Sequence, residues 1–189
     1  MHKEVIVANR IVLIHDFLSP EECQAYITQS EQQGYEEATI NSVSGASIRK
    51  DVRDNTRVIL DDPSLAASWF QRAMPFLPPE LGPWKPVGFN ERFRFYRYDP
   101  GQSFKRHYDG SYVRLNRDES LLTFMVYLNQ EYTGGTTDFY HPDDRLKASV
   151  TPRRGMALVF EHLQLHEGTA VESGRKYVLR TDVMYRRSR

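Results

Sequence analysis

The sequence predicts a mainly β protein of the α+β class, in which helices precede a β-sandwich or small barrel. From Asn90 onward, short segments of alternating apolar residues are separated by clusters of Gly, Pro, Asp and Asn. Before Asn90, two stretches join a helix-capping residue to apolar residues at helical spacing. We therefore expect one domain over residues 1–189, with a helical support region at 1–88 and a β core at 89–186.

Both predicted helices have clear start signals. Ser19 is a helix-capping residue, and Glu22 follows it at the spacing of a capping box, so the first helix begins there and is expected to end near Gly34. Asp62 precedes the second helix, whose apolar stripe stops before Pro75. We expect both helices to cover one face of a sheet.

Strands are expected after residue 90, at 91–98, 121–128, 137–140, 147–151, 156–160 and 175–185. Alternation along the last of these places Lys176 and Arg180 on one face, with Tyr177 and Leu179 on the other. In an antiparallel sheet with one wet face, the polar residues would meet solvent. Inside a barrel they would line a pocket, and the pattern leaves both interpretations open.

Charge and composition disfavour some classes of partner. The chain has 189 residues, with 25 Lys and Arg against 25 Asp and Glu, so it lacks the broad positive field of a nucleic-acid-binding protein. Its apolar runs fall far short of the ~20 residues that span a bilayer, and its first residues do not resemble a signal peptide. We expect a soluble cytoplasmic protein in which Cys23, the single cysteine, is reduced.

A His-x-acid pair is the strongest sign of chemistry in the sequence. In a strand, residues i and i+2 point the same way, so an imidazole and a carboxylate can hold one metal ion. With six histidines and 25 acidic residues, about 0.8 such pairs are expected by chance, and the chain has three. His2 lies in a terminus expected to fray, and His141 lies in a turn. His107 and Asp109 are therefore the best candidates.

A third ligand would come from His162 or His166. Four residues apart, they would form a zinc-binding pair on a helix, but HLQLH lacks the adjacent Glu of such sites and its flank resembles a strand. His166 is preferred because it precedes the cationic strand. With His107 and Asp109 it would form a two-His, one-carboxylate site, which favours non-haem Fe(II). Each histidine considered alone is more commonly an ordinary, partly buried residue.

Lys176 suggests a second ligand beside the metal. A buried lysine is costly unless its charge is paired. A dicarboxylate cosubstrate that chelates iron at one end could present its other carboxylate to this ammonium group. Tyr98 and Tyr127 could add phenolic hydrogen bonds to the same molecule.

Several motifs between about residues 90 and 185 resemble those of one family, the Fe(II)/2-oxoglutarate-dependent dioxygenases, and within it the prolyl 4-hydroxylase-like group. In chain order they are FRFYRYDPGQSFKRHYDG, LLTFMVYLN, GGTTDF, PRRGMALVF, LHEG and GRKYVLRTDVMY. One motif alone is weak evidence, whereas the ordered set is specific. The resemblance implies a double-stranded β-helix of the jelly-roll or cupin type, with residues 89–186 as the catalytic core.

The resemblance also implies roles for single residues and a set of cofactors. His107, Asp109 and His166 would be the catalytic iron ligands, and Lys176 would pair with the C5 carboxylate of 2-oxoglutarate. The implied cofactors are Fe(II), 2-oxoglutarate, O2 and ascorbate.

Three further residues would contact the cosubstrate if the resemblance holds. Tyr98 and Tyr127 match positions that hydrogen-bond 2-oxoglutarate, and Arg180 would replace or assist Lys176. Thr136 departs from the family, since many members carry an acidic residue after the paired glycines. This departure concerns the substrate more than the chemistry, because substrate loops vary while a scaffold holds the metal.

The implied function is hydroxylation of an unactivated C–H bond, with release of succinate and CO2. The first expected substrate is a protein or peptide side chain such as proline, and the alternative is a free amino acid or small metabolite. Nucleic acid is third, because the only basic cluster is a tail of Arg186, Arg187 and Arg189. A hypothesis from another class is a non-catalytic, cupin-like binding module, which needs no inward Lys176. Residues 35–60, around Gly45, are a candidate flexible lid.

Overall fold

Two β-sheets face each other, and two helices cover the outer face of the larger sheet, in a computed structural model that describes residues 1–8, 10–37, 40–42, 45–47 and 54–188. The helices are α1 (Pro20–Gln33) and α2 (Pro63–Ala73), and a 3-10 turn follows at Met74–Phe76. The first strands are β1 (His2–Val7), β2 (Ile11–His15), β3 (Glu36–Glu37), β4 (Ile40–Ser42), β5 (Gly45–Ser47), β6 (Thr56–Asp61) and β7 (Trp84–Phe89). The remaining strands are β8 (Arg92–Tyr98), β9 (Phe104–His107), β10 (Glu119–Tyr127), β11 (Tyr132–Gly134), β12 (Thr137–Tyr140), β13 (Leu146–Val150), β14 (Ala157–Glu161), β15 (Leu165–Gly168), β16 (Val171–Gly174) and β17 (Lys176–Arg187).

Antiparallel pairing joins the strands of both sheets. The larger sheet has nine strands in the order β1-β2-β14-β10-β17-β8-β6-β3, with β7 also paired to β17. The smaller sheet has four strands in the order β13-β12-β15-β9. Phe139 of β12 packs edge-on against Phe160 of β14, with ring centroids 5.1 Å apart, so an apolar layer fills the space between the sheets. The predicted β-sandwich is therefore confirmed.

Both predicted helices are confirmed together with their caps. The Ser19 hydroxyl accepts a hydrogen bond from the Glu22 backbone N–H at 3.2 Å, and the Glu22 carboxylate accepts one from the Ser19 backbone N–H at 2.8 Å. These two bonds satisfy N–H groups that a helix start leaves unpaired. Gly34 ends the first helix with a φ of 81°, which favours glycine. Asp62 caps the second helix through the Leu65 backbone N–H at 2.9 Å.

Trp69 of α2 lies at the centre of the core between the helices and the larger sheet. Its ring packs edge-on against Phe17 and Phe93, with centroid distances of 5.2 and 5.4 Å. Its indole N–H donates to the Tyr26 hydroxyl at 3.2 Å, which satisfies the one polar atom of the buried ring. Burial of each such aromatic side chain stabilises the fold by roughly 1.5–3 kcal/mol.

The prediction that residues 1–88 are a helical support region is incomplete, because this region also forms β1, β2, β6 and β7. Ile11 through Ile14 are all buried, since β2 pairs with β14 inside the larger sheet. A strand buried on both faces is a continuous apolar run, and such a run lacks the alternation that identifies half-buried strands. His2 is likewise not in a frayed end, since it pairs with His15 across β1 and β2.

The strand β17 has two buried faces, which decides between the two interpretations of its alternation. Tyr177 and Leu179 join the core beneath the helices. Lys176 and Arg180 point instead to a cavity between the two sheets, and Lys176 is only 3% exposed. The polar face of the strand therefore lines a pocket rather than meeting solvent.

The structure also bears on the expected basic tail and on the candidate lid. Arg186 is not part of a solvated tail, because its guanidinium makes two bonds to the Asp118 carboxylate at 2.8 and 2.9 Å from within β17. Part of the candidate lid at 35–60, namely residues 38–39, 43–44 and 48–53, lies outside the described residues. Among the residues that are described, no helix is long and apolar enough to cross a membrane.

Candidate active site

Neighbouring strands of the smaller sheet bring His107, Asp109 and His166 together. His107 ends β9 and is directly paired with His166 of β15, and Asp109 follows two residues after His107. One donor atom from each side chain lies within 4.8 Å of the other two. The Asp109 carboxylate is 3.6 Å from His107 Nε2 and 3.8 Å from His166 Nε2. These three side chains thus surround one point.

Backbone carbonyls fix the tautomers of both imidazoles. His107 Nδ1 donates to the Lys105 carbonyl at 2.7 Å, and His166 Nδ1 donates to the Gln164 carbonyl at 2.9 Å. A carbonyl only accepts, so each ring carries its proton on Nδ1 and presents the Nε2 lone pair to Asp109. Burial lowers the pKa of His166 to about 4, which keeps this ring neutral. His107 Nε2 is buried and has no hydrogen-bond partner among the described residues.

This donor set fits a divalent transition metal. Two neutral imidazole nitrogens and one carboxylate are the ligands of two-His, one-carboxylate iron sites, and carbonyl partners on the second ring nitrogen are typical of metal-bound histidines. The Phe104 ring stacks on His107, with centroids 3.5 Å apart, and so restrains the orientation of that imidazole. The orphaned Nε2 of His107 is the atom that a metal would satisfy.

Two buried side chains orient the Asp109 carboxylate. Its Oδ1 lies 3.0 Å from Arg180 Nη1, and its Oδ2 accepts a hydrogen bond from the Thr123 hydroxyl at 2.5 Å. Burial alone would raise the pKa of Asp109, but the Arg180 guanidinium outweighs burial and holds this pKa well below its usual range. The carboxylate is therefore ionised.

Arg180 lines the cavity as alternation predicts, but Asp109 and Asp182 already engage its guanidinium. Arg180 Nη2 donates to Asp182 Oδ1 at 3.2 Å, and Asp182 also accepts from Arg94 and Asn90. The structure does not bring Arg180 together with Lys176 as a second free cation. Alternation along the strand predicts that Arg180 faces the cavity, but it does not predict the ion pairs with Asp109 and Asp182.

Lys176 lies in the same cavity as the three donors. Its ammonium group donates to the Gly135 carbonyl at 2.6 Å and lies 5.3 and 5.5 Å from the ring centroids of Tyr98 and Tyr127. Among the described residues no carboxylate forms a salt bridge with it, so burial lowers the pKa of Lys176 to about 7 despite the field of Asp138. A buried cation without an anionic partner suits an anionic ligand.

The two tyrosines predicted to contact a cosubstrate differ in position. Tyr98 lines the cavity beside Lys176. The Tyr127 hydroxyl is buried and lies 2.7 Å from the Thr137 hydroxyl, and Thr137 rather than Tyr127 borders the cavity. Alternation along β12 is the sequence signal that could have identified Thr137.

His162 lies in a turn and not on a helix, so the alternative of a helical zinc pair is wrong. Its ring lies between two hydroxyl groups, with Nδ1 3.1 Å from Thr123 Oγ1 and Nε2 3.0 Å from Ser120 Oγ. Its backbone carbonyl accepts a hydrogen bond from the Asp109 backbone N–H at 3.1 Å. His162 is therefore not one of the three donors. It holds Asp109 and Thr123 in place by hydrogen bonds.

The part of the chain that carries this site is similar to a known protein family. The family model described as the 2OG-Fe(II) oxygenase superfamily matches residues 93–181. Residues 93–181, slightly less than half of the chain, are therefore similar to that superfamily. The matched range includes the three donors, Lys176 and Arg180.

The chain is also similar to prolyl 4-hydroxylases. It is 28% identical over 195 residues to Prolyl 4-hydroxylase 1 of Arabidopsis thaliana, a match that covers 89% of this chain and 66% of that protein. It is 26% identical over 200 residues to Probable prolyl 4-hydroxylase 7 of the same organism, covering 89% of this chain and 60% of the relative. The chain thus spans somewhat less than two thirds of the length of these curated relatives.

Solved structures of prolyl hydroxylases share the fold of this chain. The viral collagen prolyl hydroxylase of Paramecium Bursaria Chlorella virus-1 aligns with a TM-score of 0.67 at 24% identity, over 96% of this chain and 99% of that chain. A Pseudomonas putida prolyl-4-hydroxylase aligns with a TM-score of 0.70 at 17% identity, over 93% of each chain. A Trichoplax adhaerens prolyl hydroxylase, in complex with a hypoxia inducible factor peptide fragment, also aligns with a TM-score of 0.70 at 17% identity, over 93% of this chain and 84% of that chain. The expected double-stranded β-helix is confirmed.

Proposed function

We propose that the chain is an Fe(II)- and 2-oxoglutarate-dependent dioxygenase that hydroxylates a prolyl side chain of a protein or peptide, with release of succinate and CO2. The observation that carries this proposal is one cavity that holds both a three-donor cluster and a buried lysine. Similarity to prolyl 4-hydroxylases supports the choice of reaction and of target residue.

The proposed iron ligands are His107, Asp109 and His166. Bound iron would supply the redox chemistry by which O2 oxidises 2-oxoglutarate and the target C–H bond. The chain contributes two neutral imidazole nitrogens and one ionised carboxylate, each oriented by its own hydrogen bond before the metal arrives.

Lys176 is the proposed anchor for the far carboxylate of 2-oxoglutarate. Its protonated ammonium group would form a charge-assisted hydrogen bond in a cavity that excludes most water. Tyr98 and Thr137 are the proposed polar contacts, with Tyr127 holding Thr137 in place. The apolar walls of the cavity include Met125 and Val178. The methylene groups of a bound dicarboxylate would contact these apolar side chains, while its two carboxylates would contact the polar groups.

Three further parts of the proposal rest on the sequence and the family resemblance. Residues 1–189 would act as one domain, the protein would be cytoplasmic, and ascorbate would serve as a reductant that keeps the iron in its ferrous state.

Anaerobic titration with Fe(II) and 2-oxoglutarate tests the cofactor set. We expect the visible charge-transfer band of chelated 2-oxoglutarate, lost in His107→Ala and shifted to higher 2-oxoglutarate concentration in Lys176→Ala. His141→Ala and Lys85→Ala are matched controls, because both residues lie outside the cavity lining and should leave the band unchanged. Absence of the band, or a band that neither site substitution affects, would overturn the proposal.

Admission of air to the complex separates catalysis from binding alone. A prolyl hydroxylase should form succinate faster when a proline-containing peptide is present and should add one oxygen atom to that peptide. A non-catalytic binding module would show the band and no succinate. A hydroxylase of small metabolites would respond to a free amino acid and not to the peptide.

A further inference from the structure

A second cavity of about 350 Å³ lies beside the three-donor cluster and shares Asp109 with it. We name it the Leu163 groove after an exposed leucine in its lining. It is formed mainly by Leu81, Glu119, Leu121, Glu161 and Leu163. Because Asp109 borders both cavities, a chain lying in the groove would pass next to the proposed iron site.

The floor of the groove is apolar and open to solvent. Leu163 is 79% exposed in the turn between β14 and β15, and Leu81 and Leu121 are half-buried beneath the same cavity. An open apolar surface next to a reactive centre is typical of a binding site. Its apolar lining suits a peptide whose small apolar side chains would contact the three leucines.

The polar groups of the groove are predominantly acidic. Among the described residues, the Glu119 carboxylate has no hydrogen bond and no salt bridge, although it lines the cavity. The Glu161 carboxylate accepts a hydrogen bond from Gln164 at 3.2 Å, and its nearest cation is Arg10 at 3.9 Å. Asp109 adds no free charge, because Arg180 pairs with it. The groove thus offers the unpartnered carboxylate of Glu119 and, beside it, that of Glu161, which Arg10 pairs at long range.

We propose that the Leu163 groove binds the peptide segment that carries the target residue, and that Glu119 and Glu161 select a segment with Lys or Arg near that residue. The inference rests on the proposed function and specifies its substrate as a cationic peptide. A cationic side chain would pair with the unpartnered Glu119 carboxylate, whereas an acidic peptide or a nucleic acid would bring like charges together.

The test uses synthetic peptides and measures binding rather than turnover. Each peptide has one central proline in a Gly, Ala and Ser background, with a single Arg moved through the three positions on either side. Matched peptides carry Glu in place of Arg. Binding to the full chain with 2-oxoglutarate and Mn(II), which supports no oxidation, is followed by fluorescence anisotropy.

At the best position we expect the Arg peptide to bind roughly two- to fivefold more tightly than the Glu peptide, which is the size of effect that one partly exposed ion pair supports. Added salt should shrink this preference. The Glu119→Gln and Glu161→Gln variants should each reduce it, and Leu163→Ser should weaken both peptides alike. Glu172→Gln is the control, since Glu172 is an exposed glutamate outside the groove.

Equal binding of the two peptides, or a preference that survives both Gln variants, would overturn the inference. Tighter binding of the acidic peptide or of an oligonucleotide would do the same. Failure of the proposed function is distinguishable from failure of this inference. The proposed function fails if the charge-transfer band is missing in the Fe(II) titration, which contains no peptide. The inference fails in the anisotropy measurement with Mn(II), which does not depend on that band.

Discussion

Arg180 Nη1 lies 3.0 Å from Asp109 Oδ1, inside a cavity where Asp109 is almost completely buried and Arg180 is partly buried. The second oxygen of the same carboxylate accepts the Thr123 hydroxyl. A buried carboxylate without these partners would gain a proton, because burial penalises its charged form. Arg180 therefore keeps Asp109 ionised and oriented, and its contribution to the site is to position a ligand.

Replacement of Arg180 by Met should weaken metal binding about 10- to 100-fold at pH 7, the usual cost of losing a partner of a metal ligand. The cause is protonation and reorientation of Asp109. Calorimetric titration with Mn(II) measures the affinity directly. Arg92→Met, which removes an exposed pair with Asp61, should leave it unchanged. If Arg180→Met binds Mn(II) as tightly as the parent chain, the positioning role is wrong.

Binding of 2-oxoglutarate should weaken as pH rises above 7. Lys176 has a pKa of about 7 because it is buried, so its ammonium group loses its proton in mildly alkaline solution and with it the charge that binds a carboxylate. Between pH 6.5 and 8.5 we expect the dissociation constant to rise by up to about 25-fold, since each pH unit beyond a pKa costs up to a factor of ten.

The control for this pH dependence is pyruvate, which offers the same chelating end and no second carboxylate. The ratio of the two affinities cancels any titration of the metal ligands. The ratio should be flat in Lys176→Arg, which stays charged throughout. A ratio that is equally flat in the parent chain would contradict the assignment of Lys176 as anchor.

Replacement of Lys176 by Met should stabilise the unliganded protein while abolishing tight 2-oxoglutarate binding. The folded-state pKa of about 7 lies below the unfolded value of 10.5, so between these values the unfolded chain binds more protons and stability rises with pH. Below pH 7 the full cost of the buried charge is present, and its removal should add about 1–3 kcal/mol to the free energy of unfolding.

Urea unfolding at pH 6.5 and 9.5 checks the sign of this effect. The gain should be larger at pH 6.5 and should shrink toward pH 10.5, where the lysine is neutral in the folded state and increasingly neutral in the unfolded state. A loss of stability in Lys176→Met at pH 6.5 would show that its hydrogen bond to Gly135 outweighs the buried charge.

Gly135→Ala should raise the KM for 2-oxoglutarate without preventing metal binding. An added Cβ at Gly135 would lie 3.2 Å from Lys176 Cδ. The residue also has a φ of 65°, which residues other than glycine rarely adopt. The lysine stem must then shift. Gly88→Ala is the control, because no heavy atom lies within 4 Å of the corresponding Cβ. Steady-state kinetics and Mn(II) titration together separate loss of the anchor from general unfolding.

The three donors are predictable from sequence because strand period and chain order are local signals. His107 and Asp109 share one face of an extended segment, and His166 precedes a strand whose inward face carries Lys176. The partners of Arg180 are not predictable in this way, since they depend on which strands pair and in what register. The same holds for Tyr127, whose hydroxyl turns toward Thr137 rather than the cavity.

The N-terminal strands show a different limit. Ile11 through Ile14 read as a short apolar run, and nothing local distinguishes a doubly buried strand from part of a helix. Their strand character comes from β14, which offers an edge for them to pair with. Helix starts were easier to predict, because the cap of α1 lies within four consecutive residues.

The hairpin of β1 and β2 has a consequence for handling the protein. β2 pairs with β14, and Phe160 of β14 packs against the His166 ring with centroids 4.6 Å apart. A chain shortened to begin after residue 15 would expose β14 as an unprotected strand edge next to that histidine. Such edges recruit strands from other molecules. Shortened protein should therefore aggregate through the strand that supports His166, a proposed iron ligand, so solubility and metal binding should be lost together.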